Sequence, residues 1–446
     1  MALIIRLLFS VAMIHCAGTT SVFAQEFEVG KPIILQATKP VGVPLHQEHP
    51  PNYWKHVPTR TQVTLEDIAP DGQWLSVRLP TGEQAWVSIK YIRANTSPPA
   101  RTSKDTKHIQ AQSASRAPSS KKDEAKVWHS REGCEHVVRE GGRMAHASEK
   151  TIRLATWNLR WFPIGQPKDQ QHSSAKPTDI DWLICTLVWM QLDILTVQES
   201  LATSLADNAW NTLTRILAKK TGGKWKWYRQ PCGRPNDHHI GLLWNDSHVK
   251  LSQFESLWQF NSKADSPKKA CTYGLRPGQY VHVKSRTTHG ADFHLIGLHL
   301  KSGPTVFAVE ERHKALNRID RTVAPLLKQD QDVVILGDFN TMGAGDRQSQ
   351  TSELKHVRRK VGNESPGFDD LTLTPQCSQY FRGRGGWLDH VLVTKGMKEV
   401  KDTKARVTGY CGAAKCQRIK GDYPAAYRRL SDHCPVVVEI TNRDHD

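Results

Sequence analysis

The chain has 446 residues, more than one domain usually holds, so two or more folded units are expected. Its 38% hydrophobic and 24% charged residues are ordinary for a globular protein and exclude a wholly disordered or fibrous chain. An excess of 61 Lys and Arg over 44 Asp and Glu leaves a formal charge of +17, which attracts polyanions and favours nucleic acid or an anionic membrane as partner.

Residues 1–24 have the features of an export signal. Arg6 precedes an apolar run over residues 7–13, and Val22 and Ala24 stand at the −3 and −1 positions that a signal peptidase accepts. The mature chain is then expected to start at Gln25. No later stretch approaches the roughly 18 apolar residues of a membrane span. The sequence therefore predicts an exported protein, periplasmic or secreted, without a transmembrane segment.

Residues 25–94 show the pattern of a small antiparallel barrel. Alternating strands are predicted at residues 74–79 and 84–92, on either side of a "PTG" turn. The stretch "GEQAWVSIKYI" resembles the bacterial SH3-like family. That resemblance implies a cell-wall or peptide ligand for this unit.

Residues 95–128 differ in composition from both flanking regions. They are rich in Ser, Ala, Lys and Pro and contain almost no large apolar side chain, so burial cannot offset their ordering entropy. We predict a flexible basic linker there. The remaining residues, 129–446, carry about +12 of the formal charge.

Eight cysteines follow the predicted signal, and an even number in an exported chain suggests disulfide bonds. Cys411 and Cys416, which flank "GAAK", are the best candidates for a local bridge. Cys185 and Cys434 lie in apolar patterns, where a buried free thiol and a disulfide are equally compatible with the sequence.

Residues 129–446 alternate apolar strands with amphipathic helices. Strands are predicted at residues 151–159, 192–200, 240–245, 292–300, 331–340, 387–393 and 434–440. Helices are predicted at residues 179–190, 204–220 and 309–329. Several strands are apolar on both faces, as expected where helices cover a sheet.

Many of these strands carry, at or near one end, a side chain that can bind a metal or move a proton. These residues are Asn158, Glu199, His299, Asp338, Asn340, Asp389, Asp432 and His433. A polar turn or cap would explain any one of them alone. Their repetition on successive strands predicts a single active site instead.

The segments "TWNLRWF", "VQES", "GLHLKSG", "ILGDFNTMG", "GWLDHVLV" and "LSDHCPVVV", in this order, resemble the endonuclease/exonuclease/phosphatase superfamily and its deoxyribonuclease I-like branch. The resemblance covers residues 151–440. It implies an α/β domain, a four-layer α/β sandwich of two packed mixed sheets flanked by helices, here preceded by the small all-β SH3-like barrel. It also implies phosphoester hydrolysis assisted by Mg²⁺, with Mn²⁺ or Ca²⁺ as alternatives, in a catalytic domain spanning residues 129–446.

The resemblance also implies a metal site at the strand ends. Glu199 is the expected carboxylate ligand of a hard cation, which prefers oxygen donors. Asp432 resembles a further acidic ligand, and Asn158 resembles the family's asparagine that orients metal and phosphate.

The remaining roles concern the proton and the phosphate. His433 is expected to be the general base that removes a proton from water, with Asp389 holding its imidazole in the right tautomer. His299 would hydrogen-bond the scissile phosphate or protonate the leaving oxygen. Asp338 and Asn340 would contact the opposite side of the phosphate, where Asp338 would bind a second metal or position the nucleophile.

Three further residues are candidates for substrate binding. His239, beside His238, precedes a predicted strand where family members place residues that line the cleft. Arg382 and Arg384 lie close to a catalytic motif and would contact phosphate. For all three a plain surface role remains open from the sequence.

The predicted function is an exported, metal-dependent nuclease that cleaves DNA, or RNA, with little sequence preference. The basic catalytic segment and His299 favour nucleic acid. The alternative is a phosphodiesterase or phosphatase acting on a lipid such as sphingomyelin or a phosphoinositide. No aromatic hairpin for membrane insertion is recognisable in the sequence. A binding protein with an inactive hydrolase domain is disfavoured by the intact set of polar residues.

Overall fold

The computed structural model describes residues 32–35, 43–46, 53–57, 61–68, 74–88, 92–93, 120–146, 150–166, 176–363, 367–400 and 404–445. The chain divides into two compact units, residues 1–112 and 113–446. The predicted signal, residues 1–24, lies outside the described residues. Within those ranges, no helix combines the length and hydropathy needed to cross a bilayer.

The described residues of the first unit form one antiparallel sheet of seven strands in the order β3-β2-β6-β5-β4-β1-β7. The strands are β1 (Pro32–Leu35), β2 (Val43–His46), β3 (Tyr53–Val57), β4 (Gln62–Ile68), β5 (Trp74–Arg78), β6 (Gln84–Ser88) and β7 (Ile92–Arg93). The predicted hairpin is formed by β5 and β6, and its core includes Leu75, Val77 and Val87. This sheet is compatible with a small barrel, and its SH3-like assignment stays a prediction.

The second unit is a four-layer α/β sandwich, as predicted. One sheet has the order β10-β11-β9-β8-β22-β21-β17 and the other β12-β13-β14-β15-β20-β16. The strands of the first are β8 (Thr151–Phe162), β9 (Ile194–Ser200), β10 (Trp225–Arg229), β11 (His239–Asn245), β17 (Thr372–Thr374), β21 (Lys404–Val407) and β22 (Val436–Thr441). Those of the second are β12 (Val249–Leu257), β13 (Gly278–Ser285), β14 (Asp292–His299), β15 (Val333–Asp338), β16 (Phe368–Asp370) and β20 (Asp389–Thr394). A separate hairpin consists of β18 (Gln379–Phe381) and β19 (Arg384–Gly386).

The two sheets pack face to face. At Gly297 of β14, a β-carbon would come within 2.7 Å of the Thr196 side chain of β9, so only glycine allows this approach. Both sheets are mixed, since β8 pairs in parallel with β9, and β14 with β15, whereas most other neighbours are antiparallel. Strands β11, β15 and β20 are buried along their whole length, as the doubly apolar patterns predict.

Helices cover the outer faces. They are α1 (Lys121–His129), α2 (Arg131–Arg139), α3 (Ile180–Met190), α4 (Ser204–Thr221), α5 (Val306–Leu316), α6 (Ile319–Val323), α7 (Arg347–Gly362), α8 (Gly409–Ala414) and α9 (Ala425–Arg429), with 3₁₀ turns at Trp258–Phe260 and Pro267–Lys269. Helices α1 to α4 contribute to the larger hydrophobic core, which includes residues of both sheets. Helices α5, α6 and α7 pack on the outer face of the second sheet in a smaller core.

Two sequence-predicted elements differ in the structure. The helix expected at residues 309–329 is divided into α5 and α6 around Arg318. The Arg318 guanidinium donates hydrogen bonds to the main-chain oxygens of Gln259, Asn261, Ser262 and Ala264. The linker expected at residues 95–128 ends in helix α1, which starts with a capping box between Ser120 and Asp123 and buries Val127 and Trp128. Residues 95–119 lie outside the described residues.

The expected local disulfide is wrong. Cys411 of α8 pairs with Cys434, and Cys416, which follows the helix, pairs with Cys377, so the two neighbouring cysteines are tied to different parts of the domain. Cys185, left open between thiol and disulfide, pairs with Cys134, and Cys232 pairs with Cys271. All four pairings join segments separated by at least 23 residues, which local spacing does not reveal.

Candidate active site

Three adjacent strands of the second sheet bring His299, Asp338 and Asp389 together. In register, His299 of β14 lies opposite Asp338 of β15, which in turn lies opposite Asp389 of β20. Gly337 has φ 144°, and a β-carbon there would meet the Leu298 backbone at 2.0 Å. Glycine is therefore required where β14 and β15 end. The polar residues predicted at these three strand ends therefore lie side by side in the structure.

The first sheet supplies Asn158 and Glu199 from β8 and β9. Glu199 has a left-handed backbone, with φ 64°, a conformation that non-glycine residues adopt rarely and mostly at functional sites. Its Oε2 accepts a hydrogen bond from the main-chain N–H of Trp161 at 2.9 Å. The side chain is therefore fixed by the last residues of β8.

Asn158 connects the carboxylates of the two sheets. Its Nδ2 donates to Glu199 Oε1 at 3.1 Å and to Asp338 Oδ2 at 3.0 Å. Its Oδ1 accepts from the main-chain N–H of Arg160 at 2.9 Å. In this arrangement the amide nitrogen, rather than the oxygen, faces the carboxylates, so Asn158 orients them.

His433 forms a buried pair with Asp389. Its Nδ1 is 2.8 Å from Asp389 Oδ2, and its Nε2 is 3.8 Å from Asp338 Oδ2. Ser431 holds the main chain here, since its hydroxyl accepts from His433 N and donates to Asn158 O. The segment before β22 is thus tied to the end of β8, which explains why polar residues precede an apolar strand.

The charges of this cluster shift the pKa values of its members. Burial raises the pKa of Asp338 to about 7, and the charge of Asp389 acts in the same direction. Burial alone lowers the pKa of His433, but the carboxylates of Asp389 and Asp338 outweigh it and raise that pKa to about 10. Burial, and next to it the charge of Arg276, holds the pKa of His299 well below its usual value of 6.5.

Two residues of the site, Arg276 and Trp161, were not predicted from the sequence as functional, and a third, His238, was singled out only together with His239. Arg276 donates to the main-chain oxygens of His299 and Leu300. His238 lies with Nδ1 3.5 Å from Glu199 Oε1 and its ring stacked on that of His299. The Trp161 ring meets His238 edge-on at 4.1 Å. Arg276 and His238 come from loops and Trp161 from the end of β8, and only the His238-His239 pair gave a signal in the sequence.

The prediction that His239 lines the cleft is wrong, because its neighbour His238 does so. His239 is 2% exposed, and its two ring nitrogens lie 3.0 and 2.9 Å from the main-chain oxygens of Gln230 and Arg234. His238 immediately precedes β11, so of the two histidines that the sequence singled out, only His238 lies beside Glu199 and His299.

Asn340 and Asp432 lie at the edge of the cluster. Asn340 is 4% exposed, has φ 54°, and donates from Nδ2 to the main-chain oxygen of Leu300. Asp432 accepts from Gln379 Nε2 at 3.3 Å. Among the described residues, Asp432 belongs to none of the groups whose possible ligand atoms lie within 4.8 Å of one another, whereas Glu199, His299, Asp338, Asp389 and His433 do.

Arg382 and Arg384 lie on the hairpin formed by β18 and β19. Both are exposed, and the Arg382 guanidinium lies 5.3 Å from the ring centre of Phe381, which is 54% exposed. The hairpin is joined to the site at its base, because Gln379 forms a bridge with His433. It is therefore an exposed basic and aromatic element that starts next to the predicted base.

Comparisons with known proteins agree with this fold. The sequence model of the Endonuclease/Exonuclease/phosphatase family matches residues 155–433. Two curated proteins named endonuclease/exonuclease/phosphatase family domain-containing protein 1, from Bos taurus and Homo sapiens, are each 24% identical over 315 residues, which is 66% of this chain. The chain spans about half the length of these relatives, 50% of each.

Several solved structures are similar. An endonuclease/exonuclease/phosphatase from Bacteroides vulgatus has 16% identity and a TM-score of 0.44, covering 66% of this chain and 100% of its own. The catalytic domain of human Nocturnin with bound sulfate has 15% identity and a TM-score of 0.43, covering 66% and 96%. A mannosyl-6-phosphatase from Bacteroides thetaiotaomicron has 17% identity and a TM-score of 0.43, covering 65% and 99%.

The family match begins in β8, ends at His433 and includes every strand end of the cluster. Since it extends over more than half of the chain, this protein belongs to the Endonuclease/Exonuclease/phosphatase family.

Proposed function

We propose that the protein is an exported, divalent-metal-dependent nuclease that hydrolyses phosphodiester bonds of DNA, or RNA, with little sequence preference. The observation that carries this proposal is the buried His433–Asp389 pair, whose Nε2 faces a group of carboxylates at the end of two packed sheets. The four disulfides support the exported location, because such bonds persist in oxidising compartments.

A divalent cation suits the donors of this cleft. Oxygens of Glu199 and Asp338 converge on the same amide nitrogen of Asn158, and neighbouring carboxylates repel each other unless a cation or a proton is shared. Carboxylate oxygens are the donors that Mg²⁺ prefers. Glu199 and Asp338 would hold the ion, with Asp432 nearby as a further acidic group. When bound, Mg²⁺ supplies positive charge against the phosphate oxygens and the leaving group.

His433 is proposed as the general base. Asp389 accepts the Nδ1–H and so leaves the lone pair of Nε2 available to take a proton from the attacking water. With a pKa of about 10, however, His433 is protonated at neutral pH. Positive charge near Asp338 would lower that pKa, so the basic form of His433 is expected to depend on the metal.

His299 is proposed to bind the phosphate. Its lowered pKa keeps the ring neutral at pH 7, which suits a hydrogen bond to a phosphate oxygen better than protonation of the leaving group. Arg276 holds the main chain of His299 and adds positive charge. Arg382 and Arg384 would contact phosphates farther along a polymeric substrate.

The net charge favours DNA over other phosphoesters. A formal charge of +17, most of it in residues 129–446, suits a long polyanion.

A second candidate, a lipid phosphodiesterase, is favoured by one observation that the sequence did not reveal. Tyr273, Val306 and Phe307 are 62%, 65% and 50% exposed, and Lys263 lies over both aromatic rings.

The test compares substrates under defined metals. Mature protein is incubated with supercoiled plasmid, linear DNA, RNA or sphingomyelin vesicles, in Mg²⁺, Mn²⁺, Ca²⁺ or a chelator, with His433→Ala as the inactive control. We expect nicking of the plasmid that chelation and His433→Ala both abolish. Intact plasmid under every metal, together with hydrolysed lipid, would establish the second candidate instead.

A further inference from the structure

Two basic tripeptides lie against each other beside the proposed cleft. Residues 382–384, Arg-Gly-Arg, lie at the turn of the β18–β19 hairpin, and residues 418–420, Arg-Ile-Lys, lie in the loop between α8 and α9. The main-chain N–H of Ile419 donates to Gly383 O at 2.8 Å. The central residues of the two tripeptides are thus bonded to each other, and each is flanked by two exposed cations.

Gly383 makes this contact possible. The residue is buried and has φ 74°, and a β-carbon there would come within 2.5 Å of Ile419 O, so only glycine fits. Its N–H donates to Tyr423 Oη at 2.6 Å. Both main-chain polar groups of Gly383 therefore hold the loop against the hairpin.

Further bonds fix the two tripeptides to the rest of the second unit. The disulfide Cys377–Cys416 joins the segment before β18 to the segment before residue 418. Tyr380 Oη donates to Gln417 O at 2.8 Å, and Tyr380 N donates to Asp432 O at 3.0 Å. The four cations therefore extend from backbone that is held in place next to the segment preceding β22.

The four positive charges are held together without neutralising carboxylates. In the part of the chain that the structure describes, no carboxylate lies within ion-pairing distance of Arg382, Arg384, Arg418 or Lys420. Other exposed cations of this unit do have such partners, for example Lys269 with Asp265. Like charges in a fixed arrangement repel one another, and a bound polyanion relieves that repulsion.

We propose that residues 382–384 and 418–420 form one binding surface, the basic surface, for the phosphodiester backbone of nucleic acid beyond the scissile phosphate. This surface, whose role rests on the proposed function, adds the loop of residues 418–420 to the substrate contacts of the hairpin. Three of its four cations are arginines, whose planar guanidinium groups match phosphate oxygens in pairs. A backbone that is already fixed loses little entropy when a phosphate binds.

The length of the hairpin places the basic surface a few nucleotides from the cleavage point. Gln379 of β18 forms a bridge with His433, and Arg382 lies roughly 10 Å farther along a strand that rises about 3.3 Å per residue. Successive phosphates of one strand are about 3.4 Å apart along the axis of a DNA duplex. The basic surface would therefore reach phosphates about three nucleotides from the scissile bond.

The test measures DNA binding by the inactive His433→Ala protein, full-length and mature. A labelled duplex of about two helical turns is titrated across a salt series and followed by fluorescence anisotropy. Arg418→Ala/Lys420→Ala in this background should lower the salt slope by about 2 and weaken binding at low salt at least about tenfold, because two phosphate contacts are lost.

Two exposed cations elsewhere give a control that loses the same charge. Lys250 lies on β12 and Lys328 precedes β15, both at the end of the second sheet opposite to His299 and Asp338. Lys250→Ala/Lys328→Ala should leave the salt slope nearly unchanged. Equal slopes for the two double variants would overturn the proposal, as would vesicles of anionic lipid that bind more tightly than DNA through residues 382–384 and 418–420.

A variant without a change of charge tests the contact between the tripeptides. Gly383→Ala places a β-carbon against Ile419 O, so it should displace the loop from the hairpin and weaken DNA binding severalfold although no cation is lost. If Gly383→Ala melts well below the parent protein, Tyr423→Phe, which removes the acceptor of the Gly383 N–H, is used in its place. Unchanged DNA affinity in that variant would contradict a single surface.

The binding assay separates this inference from the proposed catalysis. Because no cleavage is measured, a loss of DNA affinity that is specific to the basic surface would stand even if plasmid nicking failed. Conversely, normal nicking by the wild type together with equal salt slopes for the two double variants would refute this inference alone.

Discussion

The imidazole of His433 lies between two buried carboxylates, and those charges set both its protonation and its role. Asp389 is fully buried and bound to Nδ1, whereas Asp338 faces Nε2 across 3.8 Å. In the proposed mechanism, Asp389 orients the ring and Asp338 faces the nitrogen that would take the proton. Two buried carboxylates with different partners are a common way to separate an orienting role from a reacting role.

The pair His433–Asp389 should act as one unit in catalysis. His433→Ala is expected to reduce turnover by several orders of magnitude, and Asp389→Ala added to it should cost little more, because both act on the same proton transfer. Glu199→Ala should recover part of its defect at higher Mg²⁺ or Mn²⁺, since it weakens the metal site. The turnover rates of His433→Ala, Asp389→Ala, Glu199→Ala and the His433→Ala/Asp389→Ala double variant test this, with melting temperatures as the control for folding. A His433→Ala protein that cleaves at near the parent rate would refute the assignment.

The raised pKa values also predict how stability depends on pH when metal is absent. The pKa of His433 is about 10 against an ordinary 6.5, and that of Asp338 is about 7 against 3.8. The folded state therefore binds more protons than the unfolded state between about pH 4 and pH 10, so the free energy of unfolding falls as pH rises. The contribution of His433 is fully present below pH 6.5 and is lost towards pH 10.

We expect chelator-treated protein to lose on the order of 4–5 kcal/mol of unfolding free energy between pH 6 and pH 9, about two thirds of it through His433, since one pKa unit corresponds to about 1.4 kcal/mol. Denaturant unfolding at both pH values measures it. His433→Gln, which removes the titrating group, should flatten the dependence, and Mg²⁺ should restore stability at pH 9. Equal slopes for wild type and His433→Gln would show that other groups control the pH response.

At the residue level, the motifs predicted most of this site because its chemistry is placed at strand ends. His299, Asp338 and Asp389 are neighbours through strand register alone. Arg276 was not identified, and His238 was not distinguished from His239, since their positions depend on how loops fold back over the strand ends. Their partners are far away in sequence, and periodicity carries no information about them.

At the level of elements, helix α1 is part of the second unit rather than of a linker. Trp128 is 3% exposed, packs edge-on against Trp157, and donates from Nε1 to Thr408 Oγ1. Trp182 Nε1 donates to the main-chain oxygen of Val127. The polar composition of residues 95–128 predicted a linker although its last two residues, Val127 and Trp128, are buried. Composition is averaged over a window longer than one helical turn, so two apolar residues at one end of the window carry little weight.

Trp128→Ala should therefore destabilise the second unit by about 3–5 kcal/mol, the usual cost of removing a buried tryptophan. A truncation that starts at Ser120 should fold and keep its activity on soluble substrate, whereas one that starts at Ser130 should lose stability to a similar or larger extent. Thermal unfolding of the truncations and the variant measures this. The matched control is His129→Ala, at an exposed position of the same helix, and an equal loss there would contradict the assigned packing.

The elements that the sequence did not predict share a physical cause. Strands β12 and β13 have mixed polar and apolar faces, with exposed Lys250 and Lys284 opposite each other, so their patterns resemble loops. The break between α5 and α6 depends on main-chain oxygens around Asn261 that capture Arg318. The disulfide partners depend on the tertiary fold as well. The apolar, fully buried strands were predicted because their pattern is independent of such contacts.

At the level of the whole molecule, the salt dependence of binding distinguishes a polymeric polyanion, which the positive charge would attract, from a zwitterionic lipid surface. Binding to nucleic acid releases counterions, so affinity falls with salt in proportion to the number of phosphates contacted. Binding to a zwitterionic sphingomyelin surface is driven by apolar burial and changes little with salt. The exposed residues Tyr273, Val306 and Phe307 would support the second mode, and Arg382 and Arg384 the first.

We expect the inactive His433→Ala protein to bind labelled DNA with an affinity that drops about a hundredfold between 50 and 200 mM salt if four phosphates are contacted. Arg382→Ala and Arg384→Ala should each lower the salt slope by about 1, because their exposed guanidinium groups have room to pair with phosphate. Lys250→Ala is the matched control, an exposed cation on β12, whose partner Lys284 is at the opposite end of the sheet from the cleft. Fluorescence anisotropy across a salt series, repeated with sphingomyelin vesicles, gives both slopes. DNA affinity that is independent of salt, or vesicles that bind more tightly than DNA at 150 mM salt, would contradict this prediction. The basic surface would then serve solubility, and the exposed rings of Tyr273 and Phe307 beside Lys263 would face the substrate instead.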